Sequence, residues 1–492
     1  MSKFNILDNT KDTQQKSKSP SIVADKNFGG NVAFITMGCS KNKVDSEVML
    51  GALQEKGFRS VPDPQDADLI VINTCAFLQS AVEEGINTVL EMAKYKKEGR
   101  CKKLFVAGCM VERYRSDLAK EFPEVDRFIS TDELQSIANL DQNSEIALDQ
   151  ARRPYFIYDE NMPRVISDSG YSAHIKISEG CNRRCTFCII PKIRGDLRSR
   201  SVQSIVNEIT NLRSQGISEF SLIAQDLTAY GTDFEGNRGI KSELHKLINE
   251  ISKISSGTES FWTRLHYAYP IGVNEELISA IRDLPNICNY LDIPLQHISS
   301  NVLKQMHRPL GGKGTRKLVE MMRTVNPELK LRTTLIAGFP GETDEEFEEL
   351  ENFIKEGHFQ HVGVFSYSEE PGTPAAELNN QIPVEIREER RERLMLAQKA
   401  VLNNKFSEMI NKSIKVLVDG FHEESDLLIV GRTEWQAPET DGNVIINDIN
   451  PELLSQYGIK SDSEFDISKL QGKYFNVKIT DFTDYDLIGS IE

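Results

Sequence analysis

Three short apolar runs alternate with helix-compatible segments in the first third of the chain. The runs are NVAFITMG, DLIVINT and KLFVAG, and they recur at intervals of about 35 residues. One strand–helix–strand unit takes about 30 residues or more, so each interval accommodates one unit. Short buried strands that alternate with helices are typical of parallel sheets. Residues 31–150 are therefore predicted to form an α/β domain built on a doubly wound parallel sheet.

A cysteine ends each of these runs. Cys39, Cys75 and Cys109 are distant along the chain, but the carboxyl ends of parallel strands face one crevice, where such sheets bind ligands. A single cysteine at a strand end is most often a buried structural residue. Three cysteines in equivalent positions instead favour a shared metal centre, so all three are predicted to be metal ligands.

Strand–helix alternation continues over residues 165–383. The strand-like runs there are SAHIKIS, EFSLIA, TRLHYAY, YLDIPL, LRTTLIAG and HVGVFSYS. This pattern predicts a (β/α) barrel, complete or partial, whose chemistry sits at the carboxyl ends of its strands.

The two ends of the chain have other patterns. Residues 384–412 form a charge-laced helix that is interpreted as a connector. Residues 413–492 contain five β-rich runs separated by Gly, Asp and Asn, which predict a small all-β barrel. Residues 1–30 are polar and are predicted to be a disordered tail.

Composition limits the functional classes. Of the 492 residues, 58 are Lys or Arg and 74 are Asp or Glu, so the net charge is −16. This acidity disfavours generic duplex binding, which needs clustered cations. No run is long enough for a membrane span, and no apolar stretch resembles a signal peptide. A cytoplasmic location is expected, where the eight cysteines favour metal sites or catalysis over disulfides.

The third domain carries most of the acidity. Residues 413–492 contain six basic and sixteen acidic residues, a net charge of −10. Such a barrel repels a phosphate backbone and suits a basic protein partner. The alternative is that the charge only keeps a small domain soluble.

A second cysteine triplet follows the first run of the predicted barrel. Cys181, Cys185 and Cys188 form a CxxxCxxC motif. Three thiolates on one short loop suit a four-iron cluster that keeps one iron open to another ligand. The alternatives are a zinc site that borrows His174 or His266, or a redox pair. Phe187 and the apolar run after Cys188 would give the cluster a dry wall.

This motif after the first strand of a (β/α) barrel resembles the radical S-adenosylmethionine (SAM) enzymes. The resemblance implies that the amino and carboxylate groups of SAM bind the open iron. The runs LIAQDLTAYG and LIAGFPGET resemble SAM-contacting stretches of that family. From their positions, Gln225, Gln296 and Gly338 are predicted to contact SAM, with polar barrel-lining or turn positions as the alternative.

The three domains together resemble the methylthiotransferases, in which the first domain's cysteines hold a second 4Fe-4S cluster and the last domain is a TRAM fold. GCSKNKVDSE, KISEGCNRRCTFCIIPKIRGDLRSR, LHYAYP and GRTEWQAPETDG resemble the RimO-type, ribosomal-protein branch. The sequence departs from that branch at Ser40, Lys43 and Lys192, none of which is a predicted ligand.

The resemblance implies methylthiolation of the β-carbon of an aspartate in protein twelve of the small ribosomal subunit. One SAM would methylate sulfur at the auxiliary cluster, and a second would yield the radical that removes hydrogen from an unactivated carbon. An electron donor and a sulfur source are implied but not identified by the sequence. The alternatives are methylthiolation of a tRNA adenosine, and a non-catalytic, cluster-containing nucleic-acid-binding protein.

Several further residues receive structural interpretations. Cys101 and Cys288 lie outside both triplets and are predicted to be structural, and His297 is predicted to be a hydrogen-bonded barrel residue. The cluster loop is also surrounded by basic residues, interpreted either as a solvated rim or as a carboxylate-binding set. These are Arg183, Arg184, Lys192, Arg194, Arg198 and Arg200.

Overall fold

A computed structural model describes residues 5–6, 29–139, 156–167, 170–237, 239, 241–254, 260–457 and 466–492. Within these residues the strands are β1 Asn5–Ile6, β2 Asn31–Thr36, β3 Arg59–Ser60, β4 Leu69–Thr74, β5 Lys103–Gly108, β6 Arg127–Ile129, β7 Ser172–Lys176, β8 Ser178–Glu179, β9 Arg198–Ser199, β10 Glu219–Ile223, β11 Trp262–Leu265, β12 Ile287–Asp292, β13 Lys330–Ala337, β14 His361–Ser366, β15 Ser413–His422, β16 Ser425–Thr433, β17 Val444–Ile449, β18 Tyr474–Phe482 and β19 Leu487–Ile491.

The α-helices of the described residues are α1 Ser40–Glu55, α2 Gln79–Ala93, α3 Tyr95–Glu98, α4 Cys109–Glu121, α5 Ile190–Arg194, α6 Val202–Ser214, α7 Leu244–Lys253, α8 Glu275–Asp283, α9 Ser300–Gln305, α10 Gly311–Val325, α11 Asp344–Lys355, α12 Val384–Ser407 and α13 Pro451–Gln456. The chain forms two compact units. The first comprises residues 1–167, 178–183 and 188–200, and the second comprises residues 168–177, 184–187 and 201–492.

The first unit contains the predicted parallel sheet. Its strand path is β1-β2-β4-β5-β6, with β3 also paired to β2. Val32 of β2 pairs with both Leu69 of β4 and Ser60 of β3, so β3 lies on the side of β2 away from β4. Numbered along the chain, the parallel strands therefore run 2-1-3-4-5 in space. This order is doubly wound, with its switch point between β2 and β4.

Apolar side chains cover both faces of this sheet. One cluster joins Ile70 and Val106 of the strands to Val89 and Met92 of α2. The other joins alternate strand residues such as Phe34 to Leu50 and Leu53 of α1. Strands that are buried on both faces read as continuous apolar runs, which is why the sequence pattern is so clear here.

The second unit begins with a partial barrel. Six strands run in the order β14-β13-β12-β11-β10-β7, and every adjacent pair is parallel. The predicted barrel is therefore a partial one, with β7 and β14 at its edges. Helix α12 does more than connect, because Arg387 on it donates to the carbonyl of Tyr367 at 3.0 Å, while its Leu394 and Phe406 are buried.

The chain ends in the predicted small barrel, closed in the order β15-β16-β17-β19-β18. A buried ion-pair network joins it to the partial barrel within the second unit. Glu219 of β10 accepts from Arg432 of β16 at 2.8 and 2.9 Å and from Arg264 of β11 at 2.8 Å. All three side chains are buried, so these ion pairs help to hold the last barrel against the partial barrel.

Two predictions fall largely outside the described residues. Of the predicted tail over residues 1–30, Asn5–Ile6 pair antiparallel with β2, and residues 7–28 are not described. The predicted boundary of the first domain at residue 150 also lies outside the described part, because residues 140–155 are not described. The boundaries assigned to the domains from the sequence remain predictions.

Candidate functional site

The three cysteines of the first domain lie at the carboxyl ends of three adjacent parallel strands. Cys75 and Cys109 directly follow β4 and β5, and Cys39 follows β2 after two residues. The strand ends are level, since Thr36 pairs with Asn73 and Thr74 pairs with Gly108. Cys39 and Cys75 therefore flank the switch point between β2 and β4, the position at which such sheets bind ligands.

Gly38 allows the loops after β2 and β4 to approach each other. Its φ is +90°, and a Cβ at this position would lie 2.7 Å from Cβ and 3.0 Å from Sγ of Cys75. Gly108, with φ +94°, is equally confined, because its Cβ would lie 2.2 Å from Oδ1 of Asn73. Only glycine combines this backbone conformation with so close an approach.

Two asparagines hold these loops. Asn42, in the first turn of α1, donates to the carbonyls of Met37 and Thr74, both at 3.0 Å. Asn73 in turn donates to the carbonyl of Asn42 at 2.8 Å. The residues that precede Cys39 and Cys75 are thus tied to one helix terminus. Neither asparagine is marked by the sequence pattern, although Asn42 stands only three residues after Cys39.

The three thiols influence one another electrostatically. Burial, together with the neighbouring Cys39 and Cys109, raises the pKa of the Cys75 thiol to about 12. Burial also raises the pKa of Cys109, an effect that the nearby Arg194 opposes. Burial therefore disfavours the thiolate forms of Cys75 and Cys109 unless a cation compensates their charge, and coordinated iron would provide that compensation.

The donor type at this edge suits an iron–sulfur cluster. Cys39, Cys75 and Cys109 follow three adjacent parallel strands, and cysteine thiolates are the usual ligands of such clusters. Within the described residues, no group of three His, Cys, Asp or Glu side chains is placed to hold a single metal ion. By its chemistry, this set of three thiols fits a 4Fe-4S cluster.

The CxxxCxxC loop follows β7, the first strand of the partial barrel. Cys181 and Cys188 belong to the first unit, and Cys185 belongs to the second. Cys181 is buried, and Cys188 is partly exposed. In the first unit, the backbone N–H of Cys181 donates to the carbonyl of Gly195 at 3.0 Å. In the second unit, Phe187 packs on a buried apolar cluster that includes Met306.

The three predicted SAM contacts lie at the carboxyl end of the parallel sheet in the second unit. Gln225 follows β10, Gln296 follows β12, and Gly338 follows β13. Gln296 has φ +75° and bridges to β13, since its N–H donates to Thr334 at 2.9 Å and its carbonyl accepts from Ile336 at 2.8 Å. The structure brings the three residues to one edge, and their contact with SAM remains a prediction.

A buried carboxylate that the sequence analysis missed organises this edge. Glu342 accepts from the backbone N–H of Gly338 at 3.0 Å and from Arg390 at 2.7 Å. His297 is fully buried, with Nε2 3.3 Å from the same carboxylate, and its Nδ1 accepts from the N–H of Ser299 at 3.0 Å. His297 is thus the expected hydrogen-bonded barrel residue.

The two remaining cysteines, Cys101 and Cys288, are both buried. Cys101 packs in the apolar cluster beneath α2 and donates to the carbonyl of Lys103 at 3.1 Å. Cys288 lies within β12, and burial raises its pKa to about 12. These positions agree with the structural interpretation.

The basic residues near the loop are not a uniform solvated rim. Arg194 is buried and pairs with Asp45 at 2.8 Å. Arg198 lies 3.4 Å from Asp132, and Arg200 is buried over the ring of Tyr158. Arg194 and Arg198 therefore bind carboxylates of the chain itself.

Comparisons with known families agree with the domain order. The chain matches the uncharacterized protein family UPF0004 over residues 31–130, the Radical SAM superfamily over residues 175–354 and the TRAM domain over residues 410–491. In the described part of the chain, no helix combines the length and apolarity needed to cross a membrane.

Two curated relatives are similar over nearly the whole chain. The ribosomal protein uS12 methylthiotransferase RimO of Anaeromyxobacter sp. (strain K) is 44% identical over 93% of this chain and 92% of its own length. The protein of the same name from Syntrophotalea carbinolica is 43% identical over 94% of this chain and 96% of its own length. Among solved structures, the radical SAM methyltransferase TsrM from Kitasatospora setae has a TM-score of 0.51 at 14% identity, covering 70% of this chain and 74% of that one. This last similarity concerns the fold alone.

Proposed function

The chain belongs to the RimO family of radical SAM methylthiotransferases, and we propose that it transfers a methylthio group to the β-carbon of an aspartate in ribosomal protein uS12. Two 4Fe-4S clusters and SAM are the cofactors of this chemistry. The proposed location of the protein is the reducing cytoplasm, where cysteine thiols stay available as ligands.

The observation that supports the proposal is that three cysteines follow the level ends of three adjacent parallel strands, at and next to the switch point of the first sheet. Cys39, Cys75 and Cys109 are the proposed ligands of the auxiliary cluster, and Cys181, Cys185 and Cys188 those of the radical SAM cluster. When bound, the two clusters and SAM supply hydrogen-atom abstraction and the sulfur and methyl group that are transferred.

The chain's own residues position these groups. Gly38 and Gly108 let the cysteine loops close on one another, and Asn42 fixes the backbone on both sides of the switch point. In the second unit, Glu342 holds the backbone of Gly338, which keeps the proposed SAM-binding edge in place. Such prior ordering matters because a misplaced reacting carbon loses most of the advantage of proximity.

The experiment is mass spectrometry of uS12 from a strain that lacks this enzyme. We expect the mass of one methylthio group in place of one hydrogen to be absent and to return with the wild-type gene. The variant Cys39→Ala/Cys75→Ala/Cys109→Ala should fail to restore it while the purified protein still cleaves SAM reductively and retains about four of about eight irons.

A matched variant tests the second triplet. Cys181→Ala/Cys185→Ala/Cys188→Ala should also retain about half of the iron but lose reductive SAM cleavage altogether. If the first variant keeps all its iron, the auxiliary cluster lies elsewhere. If uS12 is unchanged and a tRNA adenosine loses its methylthio group instead, the substrate assignment is wrong.

A further inference from the structure

A buried arginine contacts one cysteine of the first triplet. Arg194 ends helix α5, and its side chain is 2% exposed. Its Nη2 donates to Sγ of Cys109 at 3.2 Å and also to Oδ1 of Asn42. Its Nη1 donates to Asp45 at 2.8 Å and to Glu179 at 3.2 Å. One guanidinium therefore serves a proposed cluster ligand and two carboxylates at once.

The charges around this guanidinium explain why a cation is needed. The side chains of Asp45 and Glu179 are 3% and 6% exposed, so the guanidinium lies against two buried carboxylates. A ligating thiolate adds a third negative charge, and a buried charge without a partner is strongly destabilising. The Cys109 thiol also donates to Oδ1 of Asn42 at 3.6 Å. When Cys109 loses its proton to bind metal, that donor is lost, and Arg194 remains as the donor to both atoms.

Arginine suits this position better than lysine does. Its planar fork presents several N–H groups in fixed directions, so that one side chain can serve several acceptors at once. The N–H groups of Arg194 divide accordingly, with one nitrogen turned to the two carboxylates and the other to Asn42 and Cys109.

The segment that carries Arg194 also carries two cysteines of the other triplet. Strands β8 and β9 form a small antiparallel pair, and Cys181 is tied to Gly195 by a backbone hydrogen bond of 3.0 Å. The segment that contains Cys181 and Cys188 therefore also places Arg194 against Cys109. The arginine is part of the framework of one triplet and contacts the other.

We propose that Arg194 is a positioning residue for the auxiliary cluster. Arg194 donates an N–H···S hydrogen bond to the Cys109 ligand and thereby raises the reduction potential of that cluster. The inference rests on the proposed function only in taking Cys109 as a cluster ligand. Hydrogen bonds to ligating sulfurs tune cluster potentials. A nearby cation also favours the reduced state, because reduction adds negative charge.

The test is a redox titration of the auxiliary cluster alone. The full-length chain with Cys181→Ala, Cys185→Ala and Cys188→Ala is reconstituted anaerobically with iron and sulfide, and the potential is followed by electron paramagnetic resonance. Adding Arg194→Gln should lower the one-electron reduction equilibrium constant about tenfold, a shift of about 59 mV to more negative potential. Arg194→Lys keeps the charge and should shift the potential less.

Asp45→Asn is the matched control. It removes a carboxylate from the same guanidinium at the same depth and leaves Arg194 in place, so it should move the potential in the positive direction. General loosening of the site would move both variants the same way. If Arg194→Gln does not fold, Arg194→Lys decides the question, because it keeps the charge and loses the fork that reaches Cys109: a potential more negative than that of the background variant supports the role, and an unchanged one contradicts it.

The readouts separate this inference from the proposed function. A background variant that takes up no iron overturns both the auxiliary cluster and the role of Arg194. About four irons per chain with a potential that Arg194→Gln leaves unchanged overturns the role of Arg194 alone. Uptake of four irons, with opposite shifts in Arg194→Gln and Asp45→Asn, supports both.

Discussion

Replacing Gly38 with alanine perturbs the first triplet without removing a ligand. The new Cβ would lie 2.7 Å from Cβ and 3.0 Å from Sγ of Cys75, closer than these atoms can approach without displacement. Either the loop after β2 or Cys75 itself must move. We therefore expect Gly38→Ala to lose the auxiliary cluster while all six proposed ligands are still present.

The magnitude follows from two contributions. An L-residue with a left-handed backbone costs about 1–2 kcal/mol, and Gly38 has φ +90°. Overpacking a tight site adds about 1–3 kcal/mol, so the total destabilisation should be about 2–5 kcal/mol. Gly216 has φ +99° and no atom within 4 Å of its Cβ position. Gly216→Ala therefore pays the backbone cost alone.

The assay combines iron analysis with chemical denaturation. Gly38→Ala should retain about four of about eight irons, whereas Gly216→Ala should retain all of them. The free energy of unfolding of each variant is compared with that of the wild type. Full iron content in Gly38→Ala, with a destabilisation no larger than that of Gly216→Ala, would refute the placement of Cys75 beside Gly38.

Two further predictions concern the second unit. Burial alone would raise the pKa of Glu219, but two buried arginines lower it from its usual 4.5 to about 2. Glu219 therefore contributes about 3 kcal/mol of stability, which is present above pH 4.5 and is lost as the pH falls towards 2. Chemical denaturation should show a lower free energy of unfolding for Glu219→Gln than for the wild type at pH 7, and this difference should shrink at pH 3. Charge reversal at Asp481 and Asp484 should slow methylthiolation of whole ribosomal substrate, most at low salt, and affect a short peptide less. Equal rates at low salt would contradict recruitment by the acidic barrel, and Asp486 is left unchanged because it accepts from the backbone N–H of Asn443 at 2.7 Å.

The sequence predicted the first triplet because the signal is local. Each strand is a continuous apolar run, and each run ends at a cysteine, so parallel pairing alone brings the thiols to one edge. The doubly wound order is less accessible, since it depends on β3, which is only Arg59–Ser60. Two polar residues have no strand pattern of their own. They pair with β2 in the connection between helix α1 and strand β4, which the sequence pattern of β3 alone does not predict.

The supporting residues of the site could not be found by the same means. Helix α1 begins at Ser40, several residues before its apolar spacing becomes visible, because its first turn buries polar side chains such as Lys41 and Asn42. Arg194 stands in a basic stretch that reads as solvent-exposed. Its partners Asp45 and Asn42 are 149 and 152 residues away, so only the folded chain shows that this cation is buried.

The acidity of the last barrel shows how folding redistributes a compositional signal. The excess of acid over residues 413–492 includes Asp419, which binds Arg432 at 2.7 Å, and Asp441, which binds Arg332 of β13 at 3.2 Å. Asp441 pairs across the two barrels of the second unit, whereas Asp419 pairs with an arginine of its own barrel. Both carboxylates are already bound to cations of this chain, so they contribute little to attracting a partner. Asp484 is different, because it is 60% exposed and its ion pair with Lys399 is of a kind worth little in water. We therefore expect any recruitment of a basic substrate by this barrel to use exposed acids at and beside the β18–β19 turn, and charge reversal at Asp481 and Asp484 tests that surface without removing the ion pairs of Asp419 and Asp441.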